Sequence, residues 1–131
     1  MKQSPIFTKT YDFLLWLLLH TEKFPKSERF RLARRLEDTC FEFYELLIQS
    51  AHSNQARPLL KGGDFLLDKL RFYLRVAYAR HLFDARQYDF AANALMEIGR
   101  LLGGWIKSLP ADAEIPGDAG RSFAGRLVVL R

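Results

Sequence analysis

The sequence predicts an all-α protein built as an antiparallel up-down four-helix bundle. Apolar residues recur every three or four positions along four long segments, and proline- or glycine-containing stretches separate these segments. No stretch alternates with period two before "RLVVL" near the C-terminus. Four amphipathic helices joined by short connections pack as an antiparallel bundle, because each helix then buries its apolar stripe against its neighbours.

The first helix is expected from about Thr8 to Lys23. Its apolar residues at helical spacing are Phe7, Tyr11, Leu14 and Leu18. The stretch "KFPKS" ends this helix, and Ser27 is the expected N-cap of the second helix. The seam predicted for the second helix consists of Ala33, Leu36, Cys40, Phe43 and Leu47.

The third helix follows the loop "HSNQARP", and the stretch "KGG" at residues 61–63 is expected to delay or kink it. Its predicted seam consists of Leu67, Leu70, Leu74 and Ala77. The fourth helix is expected from about Tyr88. Its predicted seam consists of Ala91, Leu95, Ile98, Leu102, Trp105 and Leu109.

The chain divides into a bundle at residues 1–109 and a C-terminal extension at residues 110–131. The extension contains "PADAEIPGDAGRSFAG", whose proline, glycine, alanine and acidic residues are typical of a flexible segment. The terminal "RLVVLR" is long enough for one strand, but a single strand forms no sheet alone. A bundle of this length suits one domain with one core.

Composition narrows the class of protein and its location. About half of the 131 residues are hydrophobic and about a quarter are charged, as in ordinary globular proteins. Cys40 is the only cysteine, which excludes an internal disulfide and favours a reducing, cytoplasmic setting. The run "FLLWLLL" is too short to span a bilayer, so we interpret it as the core of the first helix and expect no membrane association.

No residues are spaced as a catalytic or metal site. His20, His52, His81 and Cys40 lie on different segments, and the Glu-x-x-His repeats of di-metal bundles do not occur. The stretch "GRLLGGW" lacks the lysine and hydroxyl residue of a phosphate-binding loop. We therefore expect no enzyme activity, no metal and no cofactor.

Basic residues are the most informative feature of the surface. The chain carries a formal net charge of +5. Cations concentrate at the start of the second helix, where the helix dipole disfavours them, and again on the third helix. The candidate residues for binding nucleic acid or a protein partner are Arg29, Arg31, Arg34, Arg35, Arg71 and Arg75. The alternative is a set of solvated helix faces, with pairs such as Asp68 and Arg71 offsetting one another.

Surplus apolar surface on the third and fourth helices predicts self-assembly. Besides its seam, the third helix region carries Phe65, Phe72, Val76 and Phe83. Glycine inside a helix costs about 1 kcal/mol relative to alanine, so a glycine stripe indicates close approach of another helix. The candidates for oligomer contacts or close helix packing are Gly99, Gly103, Gly104 and the adjoining Trp105. A homo-oligomer would bury these faces.

Three stretches resemble a known family. "DKLRFYLRVAYA" followed by "ALMEIGRLLGGWIKSL" resembles the accessory variability determinant, Avd, of diversity-generating retroelements. The stretch "KFPKSERFRLARRLEDTCFEFYELLIQSAHS" is similar to the wider family of four-helix-bundle proteins encoded in 23S ribosomal RNA intervening sequences. The resemblance covers about Tyr11 to Leu109.

The resemblance implies a non-enzymatic partner of a reverse transcriptase. Avd proteins form a pentameric, homo-oligomeric barrel of four-helix bundles, bind nucleic acid and the reverse transcriptase, and support mutagenic retrohoming from a template RNA. The stretch "LRFYLR" matches the family's paired basic positions at Arg71 and Arg75, and "GRLLGGW" matches at Arg100. The alternatives are a self-assembling structural bundle of the wider family without a nucleic-acid role, and a nucleotide-processing enzyme.

Overall fold

The computed structural model describes residues 4–110, and within them every regular element is helical. The four α-helices are α1 (Pro5–Thr21), α2 (Arg34–Ala51), α3 (Ala56–Ala79) and α4 (Ala85–Ser108). A 3₁₀ turn (Lys26–Glu28) and one turn of π-helix (Arg29–Ala33) lead into α2. Apart from Pro110, the predicted extension and its "RLVVL" stretch lie outside the described residues.

Aromatic contacts show that α1 runs antiparallel to both of its neighbours. Near the start of α1, the Phe7 ring lies 5.7 Å from the ring of Tyr44 late in α2 and 6.0 Å from that of Trp105 late in α4. Near the end of α1, the Trp16 ring lies 5.0 Å from that of Phe90 early in α4. The chain therefore closes on itself, with α4 returning beside α1.

The α3 helix lies between α2 and α4 and also runs antiparallel to each. The ring of Tyr78 near its end stacks at 4.7 Å on Tyr88 near the start of α4. Close to its beginning, Gly63 faces Leu46 and Leu102 from the second halves of α2 and α4. These contacts confirm the predicted four-helix bundle.

The seams predicted for the last three helices form the core. Every predicted seam residue of α2 and α3 is buried, as is Ala33 just before α2. In α4, the first four predicted positions are buried, whereas Trp105 and Leu109 are half-buried and pack against the core from its end. Apolar residues at steps of three and four thus predicted the rotation of these three helices correctly.

The seam predicted for α1 is correct at Leu14, which is buried, and wrong at Tyr11. Tyr11 is 51% exposed, and Phe7 and Leu18 are only half-buried. The buried residues of α1 are Ile6, Thr10, Phe13, Leu14, Leu17 and Thr21. The run "FLLWLLL" is apolar around most of the helix, so its pattern leaves the rotation open and contacts with α2 and α4 decide it.

The entry into α2 also differs from the prediction. Ser27 is exposed and caps no helix, because the backbone there forms the 3₁₀ and π turns. The adjacent Glu28 turns inward instead and is only 2% exposed. Its Oε2 lies 3.0 Å from Nη2 of Arg80, just past the end of α3, and its Oε1 lies 3.6 Å from Nε of Arg31. The ion pair between the buried Glu28 and the half-exposed Arg80 ties this entry segment to the end of α3.

Glycines 62 and 63 neither delay nor interrupt α3, which begins at Ala56 and passes through both. Gly63 is buried, and a Cβ there would lie 3.1 Å from Leu46 Cδ2 and 3.2 Å from Phe43 Cε1. A Cβ at Gly62 would have no neighbour within 4 Å. Gly63 therefore serves tight packing inside the bundle, whereas Gly62 faces open space.

The α4 helix begins three residues earlier than predicted because Asp84 caps it. Oδ1 of Asp84 accepts a hydrogen bond from the Gln87 N–H at 2.8 Å, and Oε1 of Gln87 accepts one from the Asp84 N–H at 2.9 Å. This reciprocal capping satisfies two backbone donors. Phe83 just before the cap is 2% exposed, so it belongs to the core and not to the surplus apolar surface.

Two further properties concern helix length and the cysteine. No helix among residues 4–110 is both long and apolar enough to cross a membrane.

The Cys40 side chain lies in the core at 1% exposure, and burial raises the pKa of its thiol to about 12.

We expect opposite effects from alanine at the two adjacent glycines. Gly62→Ala should raise the free energy of unfolding by about 0.5–1 kcal/mol, because alanine has the higher helix propensity and meets no neighbour. Gly63→Ala should be less stable than Gly62→Ala, since its methyl group compresses against Leu46 and Phe43, and Gly63→Leu should destabilise strongly. Urea denaturation measures all three. Equal stability of the two alanine variants would contradict tight packing at Gly63.

Cys40 should resist alkylation in the folded protein. At pH 8, iodoacetamide should label the native chain far more slowly than the chain in denaturing urea, because the reactive thiolate is disfavoured by burial. The raised pKa also predicts that Cys40 contributes to a loss of stability between about pH 9 and pH 12, where the thiol ionises only in the unfolded chain. The Cys40→Ala variant, which has no thiol, is the control for this pH range. Rapid labelling of the native protein would contradict the prediction.

Candidate nucleic-acid interface

The segment that enters α2 presents its cations to solvent. All six basic residues of this segment are exposed: Lys23, Lys26, Arg29, Arg31, Arg34 and Arg35. Two of them have an acidic neighbour, since Arg31 lies 3.6 Å from the buried Glu28 and Arg34 lies 3.6 Å from Asp38. Arg34 and Asp38 are both well exposed, so this pair offsets little charge in water, and the buried Glu28 is shared between Arg31 and Arg80. The segment therefore keeps a positive potential.

An open groove lies between this segment and α3, with a volume of about 310 Å³. Phe30, Arg34 and Arg35 line it from the α2 side, and Lys69 and Tyr73 line it from α3. The guanidinium carbon of Arg34 lies 6.0 Å from the centre of the Phe30 ring, and that of Arg35 lies 6.0 Å from the Tyr73 ring. Both distances are at the outer limit for a cation–π contact. The groove thus combines aromatic faces with cations.

The fold brings the predicted Arg34 and Arg35 together with two residues that sequence reasoning did not select. Lys69 and Tyr73 are four residues apart on α3 and so share one face of the helix. That spacing was visible in the sequence. The residues that this face of α3 meets were not visible in the sequence, because only the packing of α3 against α2 places the face opposite Arg35.

Arg71 lies on the opposite flank of α3, against α4. Its Nη1 lies 2.9 Å from Oδ1 of Asp68, which confirms the ion pair considered in the sequence. Its Nη2 would lie only 3.0 Å from a Cβ at Gly99 of α4. The absence of a side chain at Gly99 therefore makes room for the guanidinium of Arg71. Within the described residues, the atoms nearest to this position belong to the side chains of Arg71 and Leu67 and not to a helix backbone, so the predicted close approach of another helix at Gly99 stays a prediction.

Arg75 differs from Arg71 although both were predicted to act as a pair. Arg75 is exposed and makes no ion pair with any residue between 4 and 110, whereas Asp68 already compensates Arg71. Arg75 is therefore the more available of the two for an external anion. The prediction that the two arginines contact one partner stays a prediction.

The other glycines of α4 have no close neighbour within the chain. A Cβ at Gly103 or Gly104 would have no atom within 4 Å among the described residues. Trp105 is half-buried and packs against Phe7 of α1, so its ring belongs in part to the bundle itself. Contact of Gly103 and Gly104 with a second copy stays a prediction.

Arg100, the remaining position matched by the resemblance, is exposed on α4. Its Nη2 donates a hydrogen bond to Oε2 of Glu97 at 2.6 Å, and this bond holds the pKa of Glu97 below its usual value. The pair is local to α4, since the two residues are three apart. It identifies no partner.

Large apolar side chains are exposed on several helices. On α3 and α4, Phe65, Phe72 and Met96 are 65%, 56% and 64% exposed. Val76 is half-buried and packs against the core. The α1 helix adds Leu15 and Leu19, which are about half exposed. The surplus expected on the third helix is thus present at Phe65 and Phe72. Met96 adds exposed apolar surface on α4, and Leu15 and Leu19 add it on α1, which was not predicted to carry any.

Metal-ligating side chains are scattered. Within residues 4–110, no three histidine, cysteine, aspartate or glutamate residues cluster closely enough to hold a metal ion. His20 instead stacks on Trp16 with ring centres 4.1 Å apart, and its Nδ1 lies 2.8 Å from the Trp16 carbonyl oxygen.

Comparison with known proteins identifies the family. A family model described as bAvd-like matches residues 5–109, which is most of the chain and all four helices. A search of curated proteins finds no significant match. Because the family model spans far more than half of the sequence, the chain belongs to the bAvd-like family.

Proposed function

We propose that this protein is a non-catalytic accessory protein of a diversity-generating retroelement. It binds template RNA or cDNA together with the reverse transcriptase and supports mutagenic retrohoming. The match of the bAvd-like family over residues 5–109 is the single observation that carries this proposal. A reducing, cytoplasmic setting is part of it, since the one cysteine is a buried free thiol.

The exposed cations supply the physical basis for nucleic-acid binding. Arg29, Arg31, Arg34 and Arg35 crowd one end of the bundle, and their one buried counter-charge, Glu28, is already shared by Arg31 and Arg80. Arginines on a surface contact phosphates in any sequence and release counterions as they do so. Binding through this surface should therefore depend strongly on salt and weakly on base sequence.

Self-assembly is the second part of the proposal. Phe65, Phe72 and Met96 leave apolar surface on the outside of α3 and α4, and Gly103 leaves space for a close neighbour. Burying such side chains against other copies removes apolar area from water. The pentamer is the number implied by the family resemblance. An oligomer also repeats the basic segment several times around one assembly, which multiplies phosphate contacts.

A self-assembling structural bundle without nucleic acid is the alternative. The observation that favours it is the local pairing of several charges, such as Arg71 with Asp68 and Arg100 with Glu97. Paired, solvated charges of this kind occur on many helix surfaces and need no ligand.

We expect Arg75→Ala to weaken nucleic-acid binding more than Arg71→Ala. Each lost phosphate contact should reduce the log–log slope of affinity against salt by about 0.7 to 0.9. Arg71 is held by Asp68, so its removal should change the slope less. The measurement is fluorescence anisotropy of labelled RNA from 50 to 300 mM salt, with Arg86→Ala as a control that removes the same charge from an exposed position at the start of α4.

Two results would contradict the phosphate model for Arg75. If Arg75→Ala and Arg86→Ala bind RNA equally, Arg75 contacts no phosphate. If Arg75→Ala retains RNA but no longer binds the reverse transcriptase, this position is a protein-docking site, and the nucleic-acid surface reduces to the entry segment of α2.

We expect the protein to be a pentamer in solution. Size exclusion with light scattering at micromolar concentration should give five times the chain mass, and Phe72→Ser should lower it, because that side chain is exposed on α3. Leu15→Ser on α1 is the comparison variant, because it removes an exposed apolar side chain that the proposed α3 and α4 surface does not include, and an unchanged mass would restrict the interface to α3 and α4. A monomer at every concentration tested would refute self-assembly. A dimer would refute only the pentameric state that the family resemblance implies.

A further inference from the structure

The groove between the entry segment of α2 and α3 combines features that phosphate binding alone does not use. We propose that it holds one unpaired nucleobase by stacking, so that the protein binds single-stranded nucleic acid in preference to a duplex. This inference rests on the proposed nucleic-acid function and specifies its ligand.

Phe30 is the first reason. Its side chain is 74% exposed in the π turn, the highest exposure of any large hydrophobic residue among those described. Its ring does not join the core, so burial within the chain does not account for it. A flat, exposed aromatic ring beside a basic surface is the kind of platform on which bases of single strands stack.

Tyr73 supplies a second ring from the α3 side of the groove, whereas Arg34 and Arg35 line the α2 side together with Phe30. Tyr73 is half-buried, and the guanidinium of Arg35 lies over its ring at 6.0 Å from the ring centre. Guanidinium planes stack on bases as aromatic rings do. Because Arg34 and Arg35 lie only loosely over Phe30 and Tyr73, at 6.0 Å in each case, a base can replace these contacts at low cost.

Acidic residues in the groove distinguish a base from a phosphate. Asp38 and Glu42 line the same groove, and Glu42 forms no ion pair with any residue between 4 and 110. A carboxylate repels a phosphate group but accepts hydrogen bonds from the amino groups of cytosine, adenine and guanine. The charge pattern therefore favours a base inside the groove, with its flanking phosphates at the cations that line it, Arg34, Arg35 and Lys69.

Size and access agree with one base. A volume of about 310 Å³ lies at the lower end of the range of roughly 300–1,000 Å³ for small-molecule sites. A duplex presents its bases edge-on and keeps them stacked on one another, so it offers no free ring face to Phe30. A single strand offers one at every nucleotide.

Binding of matched oligonucleotides tests the proposal with the full-length protein. The probes are a single-stranded 12-nucleotide oligoadenylate, an abasic strand with the same number of phosphates, and a duplex of equal length. The oligoadenylate should bind about 5- to 150-fold more tightly than the abasic strand, the range for stacking of one base. A 2-aminopurine in the strand should lose fluorescence on binding.

Variants of Phe30 isolate the stacking contribution. Phe30→Leu keeps an apolar side chain but removes the ring, so it should abolish the preference over the abasic strand and leave abasic affinity unchanged. Phe30→Trp should retain the preference. Phe41→Ala, an exposed phenylalanine of α2 that does not line the groove, should behave as wild type. Phe30 is so exposed that these changes should leave the fold intact, which circular dichroism verifies.

The possible outcomes distinguish failure of the base-binding groove from failure of the proposed nucleic-acid function. Equal, salt-dependent binding of oligoadenylate and abasic strand overturns the base-binding groove and supports the proposed function. Loss of reverse-transcriptase binding in Phe30→Leu, with the oligoadenylate preference kept, overturns the groove as a base site and assigns it to protein. Absence of binding to every probe overturns the proposed function and the groove together.

Discussion

The buried carboxylate of Glu28 is the interaction on which the basic end of the molecule depends. At 2% exposure it lies against Arg80 at the end of α3 and against Arg31 in the π turn. A buried carboxylate needs a counter-charge, and two guanidinium groups supply it here, although both are at least half exposed and solvent screens part of the attraction. The pair therefore fixes the position of the entry segment beside the end of α3. Phe30 and Arg34 then face the groove because they follow Glu28 through the π turn.

Much of the bundle was predictable because its helices are amphipathic. The seam from Leu36 to Leu47 and the seam from Leu67 to Ala77 each have one apolar stripe, so spacing alone gives their rotation. In α1, the run "FLLWLLL" has no single stripe, and Tyr11 was wrongly placed in the core. Helix ends were less predictable, since Ser27 and Asp84 are both plausible caps and only Asp84 has a glutamine three residues later that completes one.

The candidate site was predicted only in its charges. Arg34 and Arg35 were selected because a basic first turn is unfavourable for a helix, and they do line the groove. Lys69 and Tyr73 were not, because the groove exists only where the start of α2 packs against residues of α3 that lie far along the chain from it. The separation of Arg71 from Arg75 has the same origin. Both lie on one helix at a spacing that predicts a shared face, but Asp68 and the gap at Gly99 hold Arg71 toward α4.

The slot at Gly99 links two positions that lie on different helices. A side chain at position 99 and an arginine at position 71 compete for the same space, since a Cβ there would lie 3.0 Å from the guanidinium. With alanine at 99, the flexible end of the arginine side chain must shift by a few tenths of an ångström, and a larger side chain at 99 requires a larger displacement. In related sequences, positions 71 and 99 should vary together, and a substitution tolerated at one of them should depend on the residue already present at the other.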